Sequence, residues 1–189
     1  MPEPTLHGRH RPDVAGTFSG SLLIVGTSRY VLQDIERYWG PHGWNHPLHD
    51  IMAVSQIGCF LPKMRHWYTA HHEQWPVWKQ MRTGDRVYCP LDSIMFHANA
   101  EYPGAVRWSI EGAWACVSGM QAAVIGCELG YSQVILAGIP SDNTGHFYPC
   151  HDFEAGNGMF HNHWDRLAHF FAGRVKSLSG KTREMFGEP

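Results

Sequence analysis

Apolar runs alternate with polar, glycine-containing turns along most of the chain. Ser21–Val25 is an apolar run that ends at Gly26, and residues 134–137 form a second run that ends at Gly138. Short apolar runs bounded by turn residues are typical of buried β-strands. Weaker strand patterns occur at residues 51–54, 66–69, 86–89, 94–97 and 174–178.

The segments between these runs carry helical patterns. Residues 30–38 repeat apolar side chains three or four positions apart, which is typical of an amphipathic helix. Residues 120–129 are small or apolar almost throughout, and Gly130 follows where a C-terminal glycine belongs, which indicates a buried helix. Further helices are predicted at residues 73–82, 164–171 and 180–187. Strands that alternate with helices predict an α/β fold, with a Rossmann-like, mostly parallel sheet and helices on both faces.

Composition agrees with one globular unit. The chain has 189 residues, of which 43% are hydrophobic and 17% charged, too apolar a balance for a disordered protein. Residues 1–19 are rich in Pro, Gly, Arg and His and predict a flexible N-terminal arm, followed by a single domain over residues 20–189. The net charge of −2 and the lack of a polybasic block give no electrostatic argument for nucleic acid or a membrane.

The sequence also bears on the compartment. No run is long enough to span a bilayer, and the first 18 residues do not resemble a signal peptide. The five cysteines are scattered and contain no CxxC pair, which favours a reducing compartment without a disulfide framework. We therefore expect a cytoplasmic protein, and a homo-oligomer remains open.

Two turns are candidate phosphate-binding segments, because ligands on parallel sheets bind at the carboxyl ends of the strands. The first turn, Gly26-Thr27-Ser28, follows the first strand; glycine allows close approach of the backbone, and free amides at a helix start attract phosphate. Ser118 and Gly119 open the buried helix in a similar way. The alternative for both is a plain structural turn or helix cap.

The segment after the run at 134–137 concentrates polar chemistry. Asp142, His146 and Tyr148 lie within residues 141–148, together with an asparagine and a threonine. Histidine titrates near neutrality and serves as a general base, so His146 is the predicted base and Asp142 the residue that orients it. The alternative is a polar loop held by side-chain turns.

The chain contains 14 histidines, which raises the question of a metal. Cys150, His151, His161 and His163 lie close together in sequence, and imidazole and thiolate suit zinc. Their spacing matches no standard zinc motif, and Pro76 stands where an HExxH motif starting at His72 would need its second histidine. We therefore predict no metal and keep a zinc-dependent hydrolase as an alternative.

Two resemblances follow from these residues. The stretches Ser118-Gly119, Leu129-Gly130-Tyr131 and residues 134–140, with Gly145-His146-Phe147 and residues 174–180, resemble a family of small tailed-phage proteins often labelled morphogenetic. More distantly, the pattern from Ser118-Gly119 through Leu129-Gly130-Tyr131 to Gly138-Ile139 resembles the bacterial sialyltransferase and motility-accessory-factor glycosyltransferases.

The second resemblance implies a function and a set of contacts. Proteins of that group bind a nucleotide sugar and need no metal or other cofactor. By resemblance, Gly26, Thr27 and Ser28 would face the nucleotide phosphates, and Ser55 and Gln56 would contact the nucleotide. Ser118 and Gly119 would contact the nucleotide or the donor sugar, and Tyr148 would hold the leaving phosphate.

These expectations combine into one functional hypothesis. The sequence favours a phage-type, metal-independent glycosyltransferase that transfers a sugar from a nucleotide sugar to an unidentified hydroxyl, on a modified DNA base or a glycan, in the host cytoplasm. A non-catalytic phage assembly or accessory protein that kept a nucleotide-binding fold is the second hypothesis.

Overall fold

The computed structural model describes residues 13–40, 49–83, 94–108, 117–142, 145–147, 157–171 and 173–189, with side chains from residue 164 onward in the helix that starts at 157. The strands are β1 (Ser21–Val25), β2 (His49–Val54), β3 (His66–Thr69), β4 (Met95–Ala98), β5 (Val106–Arg107), β6 (Gln133–Ala137) and β7 (Val175–Ser177). The helices are α1 (Val31–Trp39), α2 (Trp75–Thr83), α3 (Ser118–Leu129), α4 (Asn157–Phe171) and α5 (Gly180–Phe186). Two short 3₁₀ turns cover Ser55–Cys59 and His72–Gln74.

All seven described strands pair in parallel, in the order β5-β4-β3-β2-β1-β6-β7. The chain moves outward from β1 to β5 and then returns to place β6 on the other side of β1. The order therefore reverses between β1 and β6, and a crevice forms beyond their carboxyl ends at such a point. The predicted Rossmann-like α/β fold is confirmed.

Each face of the sheet buries its own core, because side chains alternate along a strand. On one face, Leu22 and Ile24 of β1 pack with α3 and with Trp164 and Phe171 of α4. On the other face, Leu23 and Val25 pack with residues of α1 and α2. Each aliphatic side chain buried in this way stabilises the fold by about 1.5–3 kcal/mol. Helices thus cover both faces, as the pattern predicted.

The predicted elements lie close to the observed ones, with three exceptions. The helix predicted at residues 164–171 begins seven residues earlier, since α4 spans Asn157–Phe171. The two-residue strand β5 lies in a stretch to which the sequence pattern assigned no element, and the predicted strand at 86–89 lies outside the described residues. The last part of the predicted flexible arm is held against the domain: the amides of Gly16 and Phe18 donate to the carbonyls of Glu128 and Leu129, each at 2.9 Å. No helix among the described residues is long and apolar enough to cross a membrane.

Candidate functional site

The turns after β1 and β6 interlock at the point where the strand order reverses. The Gly26 amide donates to the Ala137 carbonyl at 2.8 Å, and the Ser28 amide donates to the Gly138 carbonyl at 3.1 Å. A Cβ at Gly26 would lie 2.5 Å from the Gly138 oxygen, so glycine is required for this approach. The sequence predicted these amides for a phosphate, but both are already bonded within the protein, and that contact is not open to them.

A second pair of glycines makes room for a side chain. A Cβ at Gly26 would lie 2.5 Å from Ile139 Cγ1, and a Cβ at Gly119 would lie 2.8 Å from Ile139 Cγ2. Ile139 therefore fills the space that the sequence pattern assigned to a ligand at Gly119. Ser118 is the first residue of α3, and the N-cap is Val117, so the alternative in which Ser118 caps the helix is wrong. The turns at 26–28 and 118–119 nevertheless meet around Ile139.

The loop after β6 folds onto the turn after β1 and brings His146 to Thr27. The two segments form an antiparallel bridge between Ser28 and His146, and the Phe147 amide donates to the Thr27 carbonyl at 2.8 Å. The Thr27 hydroxyl lies 2.6 Å from Nδ1 of His146. This Thr27–His146 pair joins two candidate segments that are more than a hundred residues apart in sequence.

Burial sets the charge state of His146. Desolvation lowers the pKa of this imidazole below its usual range, and a hydrogen bond to the Thr27 backbone acts in the opposite direction. His146 is therefore neutral at neutral pH. When Nδ1 carries the proton and donates it to Thr27, Nε2 is the unprotonated nitrogen, which is the form that a general base requires.

The turn after β2 is strained and tightly held. Ser55 has a φ of +56°, a left-handed conformation that a side chain disfavours. The Trp67 indole donates to the Ser55 carbonyl at 2.6 Å, and the Trp67 ring fills the space beside Gly58, where any Cβ would clash with it. Ser55 and Gln56 are thus fixed at the carboxyl end of β2, the strand beside β1.

Asp34 ties the same edge of the sheet together and was missed by the sequence analysis. Its carboxylate accepts hydrogen bonds from the Gly138 amide and the Ser179 hydroxyl, both at 2.7 Å. Burial raises the pKa of Asp34, and these two hydrogen bonds oppose that effect. The available signal was a carboxylate on the apolar face of α1, three residues after Val31 and next to Ile35.

Asp142 approaches the start of α5. A Cβ at Gly180 would lie 2.8 Å from Asp142 Oδ2. The described partner of the His146 imidazole is Thr27, so the predicted pairing of Asp142 with His146 remains a prediction. Tyr148 lies outside the described residues, as do Cys150 and His151.

A cavity and the distribution of potential metal ligands also bear on this edge of the sheet. A cavity of about 360 Å³ opens between Ser141, Trp164 and Thr182, next to the loop after β6. This volume is in the range of small-molecule sites, although neither Thr27 nor His146 lines the cavity. The described residues contain no group of three or more potential metal ligands, and the side chains of His161 and His163 lie outside them.

The fold and the site define a Rossmann-like α/β protein with a polar crevice at the reversal of strand order. No protein-family model and no curated protein matches the chain. Among solved structures, the chain is similar in fold to the sialyltransferase CstII from Campylobacter jejuni, determined in complex with a substrate analogue, cytidine-5′-monophosphate. The TM-score is 0.57 at 10% sequence identity, over 89% of this chain and 84% of that chain, which establishes a shared fold.

Proposed function

We propose that the protein is a glycosyltransferase that uses a nucleotide sugar as donor and needs no metal ion. The observation that carries the proposal is the Thr27–His146 pair, a neutral imidazole held at the reversal of strand order. The fold it shares with a sialyltransferase supports the same reaction class. The cytidine monophosphate bound to that protein supports a nucleotide as the ligand class here.

The reaction follows from the state of His146. Nε2 takes the proton of an acceptor hydroxyl while the hydroxyl oxygen attacks the anomeric carbon of the donor sugar. The bond between that carbon and the phosphate oxygen breaks, and the electron pair leaves with the nucleotide. Thr27 holds the imidazole through Nδ1, Asp142 is proposed to assist its orientation, and Tyr148 is proposed to contact the leaving phosphate.

The remaining candidate residues line the same edge. Ser55 and Gln56, at the end of β2, are proposed to contact the nucleotide, and Ser118 lies at the start of α3 near the crossing at Ile139. The resemblance to small tailed-phage proteins suggests an acceptor hydroxyl on a modified DNA base or a glycan.

The test is a panel of nucleotide sugars, assayed for donor hydrolysis and for transfer to hydroxyl acceptors in the presence of EDTA. His146→Ala should lower turnover by about 10²–10⁴-fold, the usual contribution of a general base. His169→Ala removes an exposed histidine near the end of α4 and should leave turnover unchanged.

Three results would count against the proposal. Full activity of His146→Ala would remove His146 from the reaction. Failure of every donor to be bound or hydrolysed would exclude the glycosyltransferase and favour the non-catalytic alternative. Activity that is abolished by EDTA and restored by zinc would favour the hydrolase alternative.

A further inference from the structure

Most backbone amides of the turn between β1 and α1 are occupied within the protein. Rossmann-like folds commonly bind phosphate through amides at the start of the helix after the first strand. Here the amides of Gly26, Ser28 and Arg29 donate to carbonyls of residues 137, 138 and 145. The amides of Tyr30 and Val31 donate to the side chain and carbonyl of Ser28. Five of the six amides from Gly26 to Val31 are thus used within the protein, so a phosphate beside this turn would depend largely on side chains.

Arg29 is the cationic side chain in that turn. Its amide is fixed to the Gly145 carbonyl at 3.2 Å, and its Nε lies 4.0 Å from the position of a Cβ on Gly145. Gly145 has a φ of +70°, so glycine gives the loop its shape and leaves the guanidinium space beside it. The next residue is His146, which places the guanidinium beside the proposed base.

The charge of Arg29 is not neutralised by any ion pair within the described part of the chain. Several other arginines have carboxylate partners: Arg37 and Arg183 pair with Glu188, and Arg107 pairs with Glu101. Arg166 on α4 is exposed and, like Arg29, has no ion pair among the described residues. What distinguishes Arg29 is its position in the turn after β1, with its Nε next to Gly145 and the following His146.

We propose that Arg29 binds the phosphate of the donor nucleotide and stabilises it as the leaving group. This inference rests on the proposed function and extends it by naming the residue that meets the departing charge. As the anomeric carbon–oxygen bond breaks, the electron pair stays on the phosphate oxygen and increases its negative charge. A guanidinium donates two parallel N–H bonds to phosphate oxygens and stabilises that added charge.

The test substitutions separate the charge of the guanidinium from its two parallel N–H donors. Arg29→Gln removes the charge but keeps a polar side chain, and Arg29→Lys keeps the charge but removes the two-pronged geometry. Arg107→Gln is the matched control, since β5 lies four strands from β1, about 19 Å away across the sheet. Lys181→Gln tests a rival cation, because Lys181 lines the cavity next to Ser141.

The experiment measures binding of pyrophosphate, CMP and UDP by calorimetry, and donor turnover for whichever nucleotide sugar is used. Arg29→Gln should weaken nucleotide and pyrophosphate binding about 10–100-fold, since hydrogen bonds to charged groups are among the strong ones. Arg29→Lys should retain part of the affinity, and kcat should fall in both Arg29 variants. Because the guanidinium is exposed, circular dichroism and Tm of these variants should match the wild type.

The outcomes separate the two proposals. If wild type binds a nucleotide and Arg29→Gln binds it equally well, or if only Lys181→Gln loses affinity, the Arg29 proposal is overturned while the proposed function stands. If wild type binds pyrophosphate in an Arg29-dependent way but turns over no donor, the anion site stands and the proposed function fails. If wild type binds neither pyrophosphate nor a nucleotide, both proposals are overturned.

Discussion

Lowering the pH from 7 to 5 should destabilise the protein through two histidines on the sheet face covered by α3. His66 and His97 are fully buried, with Nδ1 of His66 3.1 Å from Nε2 of His97. Nε2 of His66 lies 2.8 Å from the Tyr131 hydroxyl, which donates to Asp50 at 2.6 Å. A carboxylate only accepts hydrogen bonds, so each proton in this chain points toward Asp50 and both imidazoles are neutral.

The pKa values give the size of the effect. Burial lowers the pKa of both histidines to about 3, assisted by the charge of Arg65 for His66 and by His66 for His97. In the unfolded chain a histidine titrates near 6.5, so at pH 5 the unfolded state binds protons that the folded state does not. The stability that depends on keeping the two buried histidines neutral is therefore fully present above pH 6.5, and it is lost as the pH falls toward 3. At pH 5 the loss is about 2 kcal/mol for each histidine, against a typical total of about 5–15 kcal/mol.

The assay is urea unfolding at pH 7, 6 and 5, compared between wild type and His97→Gln. Glutamine keeps an N–H that can donate to His66 but does not titrate, so between pH 7 and 5 the variant should lose about 2 kcal/mol less stability than wild type. His71→Gln is the control for replacing a histidine outside the buried pair, because the His71 side chain is 66% exposed. If wild type and a folded His97→Gln lose the same unfolding free energy between pH 7 and pH 5, the assignment of His97 as neutral when buried is wrong.

Two further predictions concern the edge of the candidate site. Asp34→Ala leaves the Gly138 amide and the Ser179 hydroxyl without their buried acceptor and should cost about 2–4 kcal/mol in urea unfolding; Asp34→Asn keeps one acceptor oxygen and should cost less. Ser55→Gly relieves the left-handed backbone at φ +56° and should raise the unfolding free energy by about 1 kcal/mol, whereas Ser55→Ala keeps the strain and should give no gain. Equal unfolding free energies for Asp34→Ala and Asp34→Asn would contradict the role of the acceptor oxygen, and equal values for Ser55→Gly and Ser55→Ala would contradict the role of backbone strain.

Most strands and helices could be predicted from the sequence because their patterns are local. β1 and β6 are apolar runs that end at glycines, and α3 is a small-residue helix that ends at Gly130, whose φ is +110°. β5 was missed because two residues carry no periodicity, and its place in the sheet depends on pairing with β4. The register of a parallel sheet is set by such distant contacts.

The sequence predicted the edge of the sheet that carries the candidate site but not the packing within it, because that packing depends on contacts between distant segments. The rule that ligands bind beyond strand ends located Thr27 and His146 correctly on the same edge, but it gave no information about what fills the space there. The packing of Ile139 against Gly26 and Gly119 involves three separate segments, so no local pattern predicts it. The same glycines that suggest room for a ligand in the sequence thus make room for a side chain in the structure.

The two ends of the parallel sheet have different energetic character. At the amino ends, hydrogen bonds link His97, His66, Tyr131 and Asp50 in sequence, although the buried Nδ1 of His97 has no hydrogen-bond partner among the described residues. Phe18 packs against His66 at 4.8 Å between ring centroids. At the carboxyl ends lie the two non-glycine residues with positive φ among those described, Ser55 and Ser141. Each such conformation costs about 1–3 kcal/mol and persists only when its surroundings enforce it. Because the strained residues follow β2 and β6, the strands on either side of β1, the strain lies at the edge that carries the Thr27–His146 pair, which is where a binding function would keep it.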